Sequence, residues 1–472
     1  MLKIPENYEI LLAPVYDFAK KRKVKLYLVG GILRDLALGR SRQSLDFDFA
    51  VKKGAIPFGR ALARELKAGF VILDKEHGAC RVVKKTAGGF YTLDFTGFRG
   101  KTFEEDLAKR DFTINTLALD PSSGGLIDIY GAGRDLNNKI IRVIGKESFS
   151  DDPLRVLRAF SFSASLGFRI ESATLKAARA EKNKLLTVSG ERIRDELFKI
   201  FATAKSYDCL VELDRLKILE IIFPEIKKMR GIGQGPYHHL DVWQHTLETL
   251  KQLEIILKNN RNDDIRNLFG ELISGERKRG HLLKFAALLH DVGKPATLRR
   301  EDGRTTFHGH ERAGLKLAEN ICKRLKLSNE ETHLLKTIVL WHLRPGYLAD
   351  NPVLTPRAKF RFFRDAGKEP VSILLLSLAD QRATKGPLTT AQSRIRHEQT
   401  VTRLIREYYR KIKVKKTERV IDGFGLMKRF KLKPSPLIGK ILSELEELQA
   451  IGKVRSKSEA IKAAAKIIGK MP

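Results

Sequence analysis

Hydrophobic and polar residues alternate one by one in two short segments. In 45–51, LDFDFAV, Leu45, Phe47, Phe49 and Val51 fall on one side, with Asp46, Asp48 and Ala50 on the other. Residues 90–96, FYTLDFT, repeat the pattern, setting Tyr91, Leu93 and Phe95 against Asp94. Both read as half-buried strands. Residues 24–30, VKLYLVG, predict a buried strand running into Gly30-Gly31, and 32–38 predict one to two turns of helix. Strands mixed with helices imply a small domain of both types to about residue 150. Beyond it the apolar positions recur at helical spacing. Asp152-Pro153-Leu154-Arg155 opens a helix with proline just inside its start, and amphipathic runs continue almost to the end, broken at 231–239, GIGQGPYHH. Ile438, Ile441, Leu442, Leu445 and Leu448 share one helical face, so the C-terminal segment is expected to be folded.

A chain of 472 residues exceeds one ordinary core, so two to four domains are expected. No apolar run approaches the roughly 18–20 residues of a membrane span, which argues against a membrane protein. The start, MLKIPENYEI, lacks the pattern of a secretory signal. Cys80, Cys209 and Cys322 are scattered without metal-ligand spacing and cannot form a full disulfide set, which points to a reduced, cytoplasmic protein. Charge changes the picture most: 89 Lys and Arg against 56 Asp and Glu give a formal +33, which calls for a polyanionic partner, nucleic acid above all. Residues 401–472 carry 19 basic and 7 acidic side chains, so the patterned tail is a candidate for that contact.

Residues i and i+2 of a strand share a face and lie roughly 6–7 Å apart, so Asp46 and Asp48 can reach one divalent cation. Hard oxygen ligands suit Mg²⁺ or Mn²⁺, and Asp94 on a neighbouring strand is the candidate third acid of a two-ion clamp for displacement at phosphorus. Gly30-Gly31 permits a tight turn whose amides face outward, so a triphosphate can sit at the helix start with Arg34 adding charge. An isolated D-x-D more often lies on a solvated strand face. Here it ends a long pattern, Gly30-Gly31, Arg34-Asp35, Gly39, then Asp46 and Asp48.

That pattern resembles the first motif of the class II nucleotidyltransferases, the family of tRNA CCA-adding enzymes and bacterial poly(A) polymerases. The resemblance covers most of the chain. It implies an α+β architecture: a polymerase-beta-like head at 1–150, then an elongated all-helical neck at 151–230, an HD body at 231–400 and a basic tail at 401–472. It assigns catalysis to Asp46 and Asp48 and phosphate contact to Gly30 and Gly31, with support from Arg34 and Asp35. Lys109-Arg110-Asp111-Phe112-Thr113-Ile114-Asn115 is similar to the family's R-R-D-F-T-I-N, with Lys for the first Arg, and implies ribose recognition around Arg110, Asp111 and Asn115. Asp128-Ile-Tyr-Gly131-Ala-Gly133 resembles a hinge-like element.

Asp151-Asp152-Pro153-Leu154-Arg155 resembles the family's E-D-x-x-R, with Asp151 for Glu. A carboxylate accepts from the exocyclic amine of C or A while a guanidinium donates to the neighbouring ring atom, so Asp152 and Arg155 are expected to choose CTP and ATP without a template. Taken alone, the segment would read as a capped helix start with an ion pair. Arg158, one turn on, is a candidate phosphate or positioning contact. Ser161-Phe162-Ser163 stands where the family often has Arg-Phe-Ala.

Scattered histidines are usually core or surface residues, but here they fall in an order. His245, His290-Asp291, His310, His342 and Asp380 resemble the HD phosphohydrolase superfamily, and imidazoles with carboxylates suit a divalent metal. The resemblance implies a metal site at His245, His290, Asp291 and Asp380, with His310 and His342 as extra ligands and Lys294 against a phosphate. The implied partners are tRNA, CTP and ATP. The short connection TGFRGKTFEEDLAK after Asp94 is similar to relatives that add only CC. Complete CCA addition, CC addition and poly(A) synthesis stay open, and an HD phosphohydrolase with a silent head is the contrasting class.

Overall fold

The structure is a computed structural model that describes residues 4–40, 45–86, 89–145, 147–301, 303–351, 353–413 and 420–469, the side chains of 411–413 excepted. Residues 41–44 of the glycine-to-D-x-D pattern, and 414–419 and 470–472 of the tail, lie outside these. The chain divides into two compact units, residues 1–203 with 212–222, and 204–211 with 223–472. The expected head and most of the expected neck fall in the first, the expected body and tail in the second.

The first unit is built on a seven-stranded sheet of order β3-β4-β5-β2-β1-β6-β7. Its strands are β1 Leu26–Val29, β2 Leu45–Val51, β3 Gly69–Asp74, β4 Ala79–Thr86, β5 Gly89–Gly97, β6 Ala118–Asp120 and β7 Gly125–Ile127. Only β2 and β5 run parallel; the other neighbours are antiparallel. The alternation of β2 and β5 has a direct physical outcome. Phe47, Phe49, Leu93 and Phe95 are buried, Phe49 and Phe95 stack with centroids 5.1 Å apart, and the helices Glu6–Lys21 and Ala55–Glu65 cover them through Tyr8, Tyr16 and Phe58. Gly59 lets the second helix approach β4: a Cβ there would stand 2.5 Å from Cys80 Sγ. The opposite face is left to the acids.

After the sheet the unit is helical, with Arg155–Leu166, Ser172–Glu181 and Gly190–Phe201 as its longer helices. Pro153 lies two residues ahead of the first helix and not inside it, because the turn that precedes the helix is closed by Arg155 N–H on Asp152 O and Val156 N–H on Pro153 O. Asp128 accepts the backbone N–H groups of Ala132 (2.6 Å) and Gly133 (2.9 Å), so in the hinge-like element it caps the helix Ala132–Asn137.

The second unit is built from helices, among them Val242–Asn259, Arg279–Leu289, His310–Arg324, Asn329–Trp341 and Pro370–Ala383. Two short ribbons, Leu272–Ser274 with Arg277–Lys278 and Arg299–Glu301 with Arg304–Thr306, interrupt them. The tail is folded, as its pattern predicts: Ile421, Leu426, Ile441, Leu445, Val454, Ala460, Ala464 and Ile467 form a small core of its own. Buried Glu447 ties it to the rest of the unit by pairing with Arg357 and Arg361.

Candidate functional site

Register fixes the acid face of the sheet. Asp46 stands opposite Thr92 and Asp48 opposite Asp94, so all three predicted acids point to the face away from the phenylalanines. Their surroundings differ. Thr92 Oγ1 donates to Asp46 Oδ1 at 2.6 Å. Asp94 is gripped by Arg81, opposite it on β4, through Nε and Nη2 at 2.8 Å each. Two carboxylates i, i+2 on one strand are a donor set that fits a hard divalent ion.

β1 delivers the glycines to this pair. Val29 is the register partner of Asp48, and Gly30 follows at φ +87°, a conformation that L side chains rarely adopt. A Cβ at Gly30 would stand 2.6 Å from Asp48 Oδ2. The helix Gly31–Ala37 begins at once, so the turn sets the first amides of the helix beside the acid. Gly30→Ala is expected to displace Asp48 and lower nucleotide incorporation by about a hundredfold with an unchanged circular dichroism spectrum; rates of labelled nucleotide incorporation check it.

A cavity of about 450 Å³ opens on this corner. It gathers Gly30, Gly31, Arg34 and Asp48 with Arg110, Asp111 and Asn115 of the second motif and Asp152, Arg155 and Arg158 of the third. Asp46 and Asp94 lie on the same sheet face outside its lining. One hydrogen-bonded chain crosses it. Arg34 donates to Asp35 Oδ1 (2.9 Å) and to Asn115 Oδ1 (2.8 Å), and Asn115 Nδ2 donates to Asp111 Oδ1 (2.8 Å). Arg158 donates to Asp111 Oδ2 through Nε (3.0 Å) and an Nη (2.7 Å). Burial would raise the Asp111 pKa, but Arg158 and these hydrogen bonds outweigh it and hold the carboxyl below its usual value.

The third motif differs from the simple picture of a free base-reading pair. Asp152 Oδ2 accepts from Arg192 at 2.9 Å, and Oδ1 caps the Leu154 N–H at 3.2 Å. Arg155 is buried and donates to Lys109 O (2.6 Å), Arg110 O (3.2 Å), Ser148 O (3.3 Å) and Ser148 Oγ (2.8 Å). It ties the second motif to the third. Arg155→Ala strands those acceptors and is expected to cost roughly 2–3 kcal/mol, read as a lowered thermal midpoint.

The histidines of the second unit converge on Asp291. The Nδ1 atoms of His290, His310 and His342 each face a backbone carbonyl three residues back, at 2.8, 2.9 and 2.7 Å. A carbonyl only accepts, so each Nδ1 carries a proton and each Nε2 points inward, where it offers a lone pair once the ring is neutral. Those Nε2 atoms stand 3.2, 3.3 and 3.7 Å from the Asp291 carboxylate, and His245 Nε2 lies 2.8 Å from Asp380 Oδ1 and 3.7 Å from Asp291. His245 Nδ1 is buried with no hydrogen-bond partner among the described residues. His245, His290 and Asp291 form one group whose ligand atoms lie within 4.8 Å of one another, and Asp291, His310 and His342 a second. Lone pairs and carboxylates packed so closely need positive charge between them, and a divalent metal fits that donor set. Burial lowers the His290 pKa, yet Asp291 and Asp380 outweigh it and raise the net value, whereas burial and the charge of His290 push His342 down to about 3. Lys294 Nζ reaches Asp291 (2.7 Å) and Gln234 (2.6 Å), so it shares the carboxylate on which the histidines converge.

Residues 26–142 match the family described as Poly A polymerase head domain, 167–229 the probable RNA and SrmB-binding site of polymerase A, and 242–385 the HD domain. The A-adding tRNA nucleotidyltransferase of Deinococcus radiodurans is 32% identical over 431 residues, spanning 90% of this chain and 91% of that protein. The chain belongs to the tRNA nucleotidyltransferase family. The CC-adding tRNA nucleotidyltransferase of Synechocystis is 28% identical over 89% of this chain and 88% of its own. A structure of a CCA-adding enzyme with ATP shares the fold, with a TM-score of 0.68 at 22% identity over 98% of this chain and 96% of that one.

In this member of the nucleotidyltransferase family, sequence reasoning passed over several residues that shape the site. Arg99, Phe162 and Lys199 line the cavity, Ser148 receives Arg155, and Arg192 holds Asp152. Nothing in the local sequence marks Arg99, Ser148 or Arg192. Ser161 Oγ donates to buried Glu196, which also pairs with Lys199 at 2.7 Å, so the position where the family often carries Arg is here a neutral hydroxyl beside a lysine-paired acid.

Proposed function

We propose that the protein extends the 3′ end of tRNA with C and A residues from CTP and ATP, without a nucleic-acid template. The observation that carries this is Asp48, with Asp46 on the same strand face, in the wall of a cavity that gathers the glycine turn and the second and third motifs. Asp46 and Asp48 would hold Mg²⁺, with Asp94, already paired with Arg81, as a weaker third acid; ions held there would supply charge that neutralises the triphosphate and lowers the pKa of the attacking hydroxyl. The chain's own groups do the rest. The Gly30-Gly31 turn and Arg34 bind phosphate, Arg110, Asp111 and Asn115 face the ribose, and Asp152, steadied by Arg192, with the Arg155 Nε–H that the backbone carbonyls do not take up, sets the acceptor and donor that suit C and A and repel U and G. Segment 1–150 is the catalytic head, 151–230 the selecting neck, 231–400 the HD body, and 401–472 a basic tail that grips tRNA. Recognition of RNA by backbone and shape makes affinity fall steeply with salt.

Addition of A alone is the second reading, favoured by the 32% identity to an A-adding enzyme. For the HD body we infer a metal-dependent phosphohydrolase centred on His245, His290, Asp291 and Asp380, with His310 and His342 as further ligands. No helix among the described residues is long and apolar enough to cross a membrane, and the three buried cysteines, which form no disulfide among the described residues, fit a reducing cytoplasm. The test is incorporation of single labelled nucleotides into tRNA transcripts ending before, within and after CCA. Labelled C on the shortest transcript, followed by A, supports CCA addition; C alone means CC addition; A only on transcripts ending in CC supports the second reading. Long A tracts mean poly(A) synthesis, and no label at all overturns the proposal.

A further inference from the structure

Resting on the proposed reading of the cavity, we propose that Phe162 is a positioning residue for the nucleotide, holding the arginine of the phosphate side and the arginine of the base-selecting helix in one fixed frame. Its ring lies under two guanidinium groups: Arg34 Cζ is 5.0 Å from the ring centroid and Arg158 Cζ is 5.2 Å from it. These arginines come from different elements, Arg34 from the helix that follows the glycine turn and Arg158 from the helix Arg155–Leu166. Polar bonds already join them the other way round. Arg34 reaches Asn115, Asn115 reaches Asp111, and Arg158 closes on Asp111 with two bonds. Phe162 therefore completes a closed ring of five side chains, Arg34–Asn115–Asp111–Arg158–Phe162, on the wall of the cavity.

The physical need for the ring follows from charge. Asp111 supplies one negative charge between two cations, and Arg34 and Arg158 find further acids on their outer sides, Asp35 at 2.9 Å and Glu196 at 3.6 Å. An aromatic face attracts a guanidinium without taking up its N–H donors, so both arginines stay oriented while keeping donors for a ligand. The ring is itself fixed, since buried Phe112 packs edge-on against it with centroids 5.8 Å apart and an interplanar angle of 84°. Phe112 belongs to the second motif, so the frame couples all three motifs through one residue.

Phe162→Leu keeps apolar bulk and removes the π face. In the full-length protein it is expected to raise the KM for CTP and ATP about tenfold and to change kcat less than about threefold, because Phe162 touches neither reacting group. Equilibrium dialysis with labelled CTP and ATP should show the same loss, and Phe162→Tyr, which restores the face, should bind within about twofold of the parent. Rotation about the Nε–Cζ bonds of Arg34 and Arg158, followed by arginine-selective NMR exchange, gives a readout that a packing role would not move, since Leu keeps the bulk: slow in parent and Tyr protein, faster in the Leu protein. Parental KM and dissociation constants for Phe162→Leu, or a Tyr variant as impaired as Leu, overturn the proposal. A parent protein that binds neither nucleotide overturns the reading of the cavity and this inference together, whereas intact parental binding with an indifferent Leu variant overturns this inference alone.

Discussion

Replacing Asp48 with Asn is expected to lower nucleotide incorporation by at least about a thousandfold while leaving the fold intact. The amide keeps the size of the side chain and its place on β2, but loses the negative charge that makes the pair a cation site. Asp46→Asn should behave alike, because the two side chains share one face of one strand. Asp94→Asn separates two roles. Its carboxylate is already neutralised by Arg81, so we expect incorporation to stay within about tenfold of the parent. A loss as deep as that of Asp48 would instead make Asp94 an equal third acid. Incorporation rates for the three variants at saturating nucleotide decide the matter.

The second large effect concerns Asp291. Both candidate ligand groups include it, so Asp291→Ala removes the residue on which His245, His290, His310 and His342 converge. In the parent, a divalent ion at a thousandfold excess over its dissociation constant should stabilise the second unit by roughly 4 kcal/mol. In Asp291→Ala that stabilisation should vanish. Thermal melts with and without Mn²⁺ or Mg²⁺, alongside calorimetric titration of the ion, check this. Incorporation by the head should be unchanged, since Asp291 belongs to a different compact unit from Asp48. A parent whose midpoint ignores every divalent ion would contradict the metal reading.

The acid strand was readable because its chemistry and its packing have the same period. Phenylalanine on odd positions and aspartate on even ones gives one solution for β2, and the structure adopts it with the expected bounds. The glycine turn was legible for a similar reason, since only glycine suits the φ of Gly30 and the closeness of Asp48. The helical face of the tail was legible from spacing alone. What sequence could not give is where long side chains spend their donors. Arg155 lines the cavity as a candidate base reader, but its bonds to the carbonyls of Lys109, Arg110 and Ser148 depend on partners far along the chain or marked by nothing in their type. Asp94 shared the alternation of the other acids, yet its cross-strand neighbour Arg81 was unknown until β4 was paired in register. The histidines were recognisable by order, but the tautomer that turns their lone pairs inward depends on carbonyls that only a folded helix end supplies.

The most direct measurement puts a tRNA transcript lacking its last nucleotides with CTP, ATP and Mg²⁺, and follows product length for the parent and for the double variant Asp46→Asn/Asp48→Asn. The account predicts that the parent adds one to three nucleotides and stops, while the double variant leaves the transcript at its starting length. Extension by the double variant at the parental rate would contradict it.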